Sequence, residues 1–123
     1  MPVTGMIPQL RTTNLQESID FYVQQLGFTL AFTYDDFYAG ITVGGQVLHL
    51  KLVDDVDPSI AYVAAEDHLH LYFTTTDVDA EAERLRIAGV TFRADVGDTP
   101  WATREFAIVD TQGHVLYFGQ QSA

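Results

Sequence analysis

A strand, a helix and three strands, run through twice, predict an α+β fold. In it two βαβββ modules form curled mixed sheets around a cavity, with the helices on the outer faces. Three observations carry this prediction. Helical apolar spacing behind a capping residue occurs twice, and each run stops at a glycine, at Leu26-Gly27 and at Ala88-Gly89. Runs rich in aromatic and β-branched residues follow each helix, broken by Asp or Gly pairs. The stretch from Trp101 to Gly119 holds two β-rich runs around Asp110-Thr-Gln-Gly113, a hairpin signature led into by the chain's only tryptophan.

Taken in order, residues 1–6 form a weakly patterned leader, and 7–13 read as a strand with Pro8 near its start, where a missing N–H is tolerable. Asn14 with Glu17 three residues on resembles a capping box. Leu15, Ile19, Tyr22, Val23 and Leu26 then repeat at helical spacing. Residues 28–34 and 37–43 read as strands separated by Asp35-Asp36, and Gly44-Gly45 supplies the next turn. In the strand over 47–53, Leu48, Leu50 and Leu52 share one face while Val47, His49 and Lys51 share the other. One face packs on the helix and the other meets something more polar.

Residues 54–66 read as a linker between modules of about 6–53 and about 67–120, all within a single domain over 1–123. The pattern then repeats. A strand over 67–75 alternates Leu69, Leu71 and Phe73 with His68, His70 and Tyr72, and Thr76-Asp77 caps a helix that uses Val78, Ala82, Leu85 and Ala88. Strands over 90–96, 104–109 and 114–118 complete the second module, and His114 is expected in a solvated turn.

Composition narrows the function. The 123 residues suit one domain with a real core. No apolar run is long enough to span a membrane and no basic-then-apolar leader is present, so a cytoplasmic protein is expected. The absence of cysteine removes disulfides, thiol nucleophiles and thiolate metal sites. Seventeen acidic against six basic residues give a net charge of −11, which repels nucleic acid and anionic lipid and favours cationic ligands, while also serving solubility. No Ser–His–Asp ordering, phosphate loop or hydrolase carboxylate pair stands out.

Leu10-Arg-Thr-Thr-Asn-Leu15, Ser18-Ile-Asp-Phe-Tyr22 and Leu26-Gly-Phe28 resemble the first-module pattern of the vicinal oxygen chelate superfamily, which includes glyoxalase I, extradiol dioxygenases and antibiotic-resistance proteins. Tyr34-Asp-Asp-Phe-Tyr-Ala-Gly40 and Pro100-Trp101 with Arg104-Glu-Phe-Ala107 are similar to segments of its bleomycin-resistance branch. The match is inexact. An extra residue precedes Arg104, Ala102 stands where the branch has glycine, and Tyr38 is added after Phe37.

The resemblance implies a non-catalytic, acidic homodimer that sequesters a cationic glycopeptide or peptide antibiotic, without cofactor, metal or catalytic residues. It also implies that the superfamily's enzymes would place metal ligands near Ile7, His49, His70 and Tyr117. Isoleucine cannot ligate, and tyrosine stands where a carboxylate is usual, so that set is depleted. The alternative, a metal-dependent lyase or dioxygenase, would use His49 and His70, with His68 as a further candidate. Simple hydrogen bonding is the competing role for these histidines.

The expected ligand-binding residues are Phe37, Tyr38, His49, His70, Tyr72, Trp101 and Tyr117. Only one of the adjacent Phe37 and Tyr38 can face a cavity. Trp101 is open to two roles, sealing a core edge or stacking on a flat ligand. Asp35 and Asp36 attract a cation or simply make a turn, and Arg104 and Glu105 are expected to form a surface pair.

Overall fold

A computed structural model describes residues 2–122; Met1 and Ala123 lie outside the described residues. The chain divides between Asp57 and Pro58 into two compact units, each built on a four-stranded mixed sheet. In the first, β1 (Gln9–Thr12) runs parallel to β4 (Gln46–Leu52), followed by antiparallel β3 (Tyr38–Val43) and β2 (Thr29–Tyr34). The second unit repeats the order, with β5 (Leu71–Thr74) parallel to β8 (Val115–Gln121), then β7 (Thr103–Val109) and β6 (Phe92–Asp98). The predicted α+β repeat is therefore the observed one.

Helix α1 (Leu15–Asp20) starts where expected, because the Asn14 side chain accepts the Glu17 backbone N–H at 3.1 Å. It then widens into a π-helical turn over Phe21–Gln25, closed by the Leu26 N–H donating to the Phe21 carbonyl. Fully buried Tyr22 explains the wider turn's packing: it meets the Phe21 ring edge-on and stacks on Phe28. In the sheet below, Leu10, Ala39, Ile41, Leu48 and Leu50 are buried on the face that meets α1, as the alternation in β4 requires.

The second unit's core follows the same rule. Helix α3 (Val78–Ile87) is capped by Asp77, whose carboxylate accepts the Ala80 N–H, and buries Val78, Ala82 and Leu85. Phe106 and Phe118, cross-strand partners in β7 and β8, stack with centroids 5.0 Å apart. Each fully buried side chain of this size contributes about 1.5–3 kcal/mol. Both major helices end on a glycine in the left-handed region, Gly27 and Gly89, each at φ 81°.

Three expectations are corrected here. The stretch 54–66, read as a connecting loop and linker without a helix of its own, contains helix α2 (Pro58–Ala65), with Pro58 at a position where its missing N–H costs nothing and Ile60 buried. The strand expected over 67–75 starts only at Leu71, because Asp67 takes φ 58° and the His68 N–H bonds back to Val63. His68 thus lies in a turn after α2 and shares no strand face with His70. The boundaries of β6 and β8 also sit a few residues later than the expected 90–96 and 114–118.

Candidate functional site

In the first sheet the face opposite its helix carries most of the aromatic residues, whereas in the second it carries Tyr72 and Tyr117 while Phe73, Phe106 and Phe118 pack on the helix side. In the first unit, Gln9, His49, Gly40 and Phe32 lie side by side across four strands. Gly40 has a packing reason for lacking a side chain, since a Cβ there would meet the Phe32 ring at 2.2 Å. Phe32 lies across that backbone, stacks on Tyr38 at 6.5 Å and presents an edge to His49 at 5.4 Å. Phe37 just precedes β3 and meets both Tyr34 and Tyr38 edge-on.

Hydrogen bonds fix this cluster. The Gln9 amide donates to the Tyr38 hydroxyl at 3.0 Å, and the same hydroxyl is hydrogen-bonded to His49 Nδ1, also at 3.0 Å. Three expected residues, Phe37, Tyr38 and His49, are thereby brought together. Phe32, Tyr34 and Gln9 join them and were not foreseen as site residues, although strict alternation from Tyr34 back to Phe32 carried the signal. Basic residues share this face, with Lys51 beside Tyr38 and Arg11 in the β1–β4 register; Arg11 pairs with Asp57 at 2.9 Å.

The second unit presents an equivalent row of Tyr72, Tyr117, Ala107 and Ala94. Tyr72 and Tyr117 stack with centroids 6.4 Å apart. The Tyr72 phenol passes over Gly119, where a Cβ would lie 1.9 Å from its oxygen, and donates to Glu105 Oε2 at 2.7 Å. Thr103 donates to the same oxygen at 3.0 Å. Partial burial and the neighbouring Glu105 carboxylate push the Tyr72 phenol up to about 12.

Arg104 and Glu105 do not pair, contrary to expectation. Adjacent strand residues point to opposite faces, so Arg104 reaches Asp79 on α3 and Asp98 on β6 while Glu105 joins the tyrosines. The two carboxylates hold the Arg104 guanidinium above its ordinary value, and the hydrogen bond from Arg104 draws Asp79 below the usual carboxylate range.

His114 is also corrected, since it is 2% exposed and not solvated. Asp110 makes the turn by accepting the backbone N–H groups of Gln112 and His114 on Oδ1, and its Oδ2 meets His114 Nδ1 at 2.8 Å. His70 packs edge-on against the His114 ring, and its Nδ1 accepts the Val115 N–H at 2.9 Å. Trp101 stands apart at the tip of the β6–β7 hairpin and is 68% exposed, which favours the stacking role over a core seal. Asp35 and Asp36 form a two-residue hairpin turn at φ 48° and 59°, closed by the Phe37 N–H donating to Tyr34.

Of the four positions that the resemblance would give to metal ligands, Ile7, His70 and Tyr117 do not suit a metal. Ile7 has no donor atom and Tyr117 supplies only a phenol. Because a backbone N–H can only donate, His70 Nδ1 must accept, which keeps the neutral ring's proton on Nε2, the nitrogen a metal would need bare. Among the described residues, no three His, Asp or Glu side chains gather around a common point.

The chain belongs to the Glyoxalase/Bleomycin resistance protein/Dioxygenase superfamily, whose family model matches residues 6–118. Solved structures with the same fold include a bleomycin-binding protein from bleomycin-producing Streptomyces verticillus, complexed with copper(II)-bleomycin. It is 27% identical, with a TM-score of 0.72 over 100% of this chain and 98% of that one. TnmS3, an antibiotic-binding protein from Streptomyces sp. CB03234, is 26% identical, with a TM-score of 0.77 over 99% of each chain. A lactoylglutathione lyase from Agrobacterium tumefaciens shares the fold at 18% identity, with a TM-score of 0.74 over 98% of this chain and 95% of that one. No curated protein matches at the sequence level. No helix among the described residues is long and apolar enough to cross a membrane.

Proposed function

We propose that the chain is a non-catalytic binding protein that sequesters an aromatic, cationic antibiotic or metabolite. The observation that carries this reading is the set of rings left uncovered on the strand faces and at the hairpin tip. Phe32, Tyr34, Phe37, Tyr72 and Trp101 are all exposed, though burying rings of this size is strongly favourable. The donor set supports binding over catalysis, since it lacks the ligands that would make a metal a Lewis acid toward vicinal oxygens. The family match and the two antibiotic-binding neighbours support the same reading.

In this proposal the ligand-binding residues are Phe37, Tyr38 and His49 on the first unit and His70, Tyr72, Trp101 and Tyr117 on the second, with Phe37 and Trp101 supplying stacking rings. The protein acts as a cytoplasmic homodimer and confers resistance by holding the drug, not by altering it. Equilibrium dialysis against bleomycin, with mass spectrometry of the recovered ligand, tests this. Retention of unchanged ligand is expected, with Trp101→Ala and Phe37→Ala each weakening binding roughly tenfold. Stoichiometric metal in protein purified without a His-tag, lost in His70→Ala and accompanied by turnover of a diketone or catechol, would establish a metal-dependent lyase or dioxygenase instead.

A further inference from the structure

Glu105 is the carboxylate that the second unit brings against its tyrosine pair, and it is the acid of this face without a cationic partner. All four arginines of the unit are engaged elsewhere: Arg84 with Glu81, Arg86 with Asp95, Arg93 with Asp67, and Arg104 with Asp79 and Asp98. The unit has no lysine. Glu105 is half-buried, and its two donors, Tyr72 and Thr103, are neutral hydroxyls that both converge on Oε2. Oε1 receives no hydrogen bond among the described residues of the unit.

A partly buried carboxylate held by neutral donors is oriented without being neutralised. The arrangement depends on Gly119, because a Cβ there would collide with the Tyr72 phenol and press on the Glu105 side chain at 3.3 Å. The result is an anionic oxygen fixed beside two stacked phenol rings, whose faces also attract cations. The aromatic face of the first unit offers no equivalent, since the charged residues that share it in register are Arg11 and Lys51.

We propose that Glu105, positioned by Tyr72 and Thr103, is the residue that selects the ligand's cationic group, accepting a primary ammonium or similar N–H cation on Oε1 while the Tyr72–Tyr117 pair flanks it. This rests on the aromatic-ligand reading above and names the part of the ligand it had left general. Glu105 is thereby a specificity-determining residue, and the remaining acidic surface supplies only a diffuse field.

The test uses two probes that share the naphthylethyl group and differ in the charge on nitrogen, 2-(1-naphthyl)ethylamine and its neutral N-acetyl derivative, titrated by NMR into the full chain and into Glu105→Gln. Glutamine keeps the size and an acceptor oxygen for Tyr72 and Thr103, so the fold has no reason to fail. The wild type should bind the amine about tenfold more tightly than the amide, and Glu105→Gln should erase that preference while leaving amide affinity unchanged. A second, ligand-free readout is the Tyr72 phenol, pushed up to about 12 first by burial and then by the Glu105 carboxylate, so Glu105→Gln should lower its titration while leaving it above the ordinary tyrosine value. Equal affinity for the two probes in the wild type, or equal weakening of both by the substitution, overturns the role of Glu105 and leaves the aromatic site standing. If neither probe binds, the aromatic reading and this inference both fall.

Discussion

At the scale of single residues, Asp110 and His114 show how one hydrogen bond decides a residue's place. The sequence presents His114 as the residue after a turn glycine, a position that usually faces solvent. The turn is made by Asp110, whose carboxylate is almost wholly buried and needs its donors within the fold. The imidazole is the side-chain donor that meets it, so it follows the carboxylate inward. His114→Ala keeps the two backbone donors but removes the buried imidazole bonded to Oδ2, and should cost about 3 kcal/mol in urea unfolding at pH 7. A cost below about 1 kcal/mol would show that the pair is incidental. The misplacement of Glu105 has a simpler source. Arg104 and Glu105 look like a surface pair in one dimension, and strand alternation separates them in three.

At the scale of elements, the caps and the strand alternation were legible because their causes are local. Asn14 and Asp77 bond to N–H groups three residues on, and Leu48 and Leu50 show their face by period alone. Helix α2 was not legible. Pro58–Ala65 is apolar almost throughout yet buries chiefly Ile60, so it shows no contrast between faces for a period to reveal. The π-helical turn at Phe21–Gln25 was hidden for a different reason, as Tyr22 and Leu26 fit ordinary helical spacing equally well. Of the expected site, the grouping of Phe37, Tyr38 and His49 was readable in part. The contribution of Phe32 depends on the open space at Gly40, a cross-strand fact.

The β6–β7 hairpin carries a prediction at the same scale. Ala102 takes φ 67°, a conformation costly for an L-residue with a Cβ, at the position where the bleomycin-resistance branch has glycine. Ala102→Gly should therefore raise stability by roughly 0.5–1 kcal/mol, the relief of strain exceeding the extra freedom of the unfolded chain. Thermal unfolding reads this as a midpoint higher by about 3 °C. An unchanged or lower midpoint would mean that the hairpin relaxes around alanine without strain.

At the scale of the whole molecule, the same plan is executed twice and filled differently. The row Gln9, His49, Gly40 and Phe32 in one unit answers to Tyr72, Tyr117, Ala107 and Ala94 in the other. At the four positions that the resemblance would give to metal ligands, this chain carries Ile7, His49, His70 and Tyr117, and the Val115 N–H occupies the Nδ1 of His70. A net charge of −11 adds a long-range pull on cations, which accelerates encounter and weakens with salt.

The most direct measurement is the fluorescence of Trp101, the chain's only tryptophan and an exposed one, titrated with metal-free bleomycin. Sequestration by stacking predicts saturable quenching, with the ligand recovered unchanged. Quenching that rises linearly without saturation would contradict it.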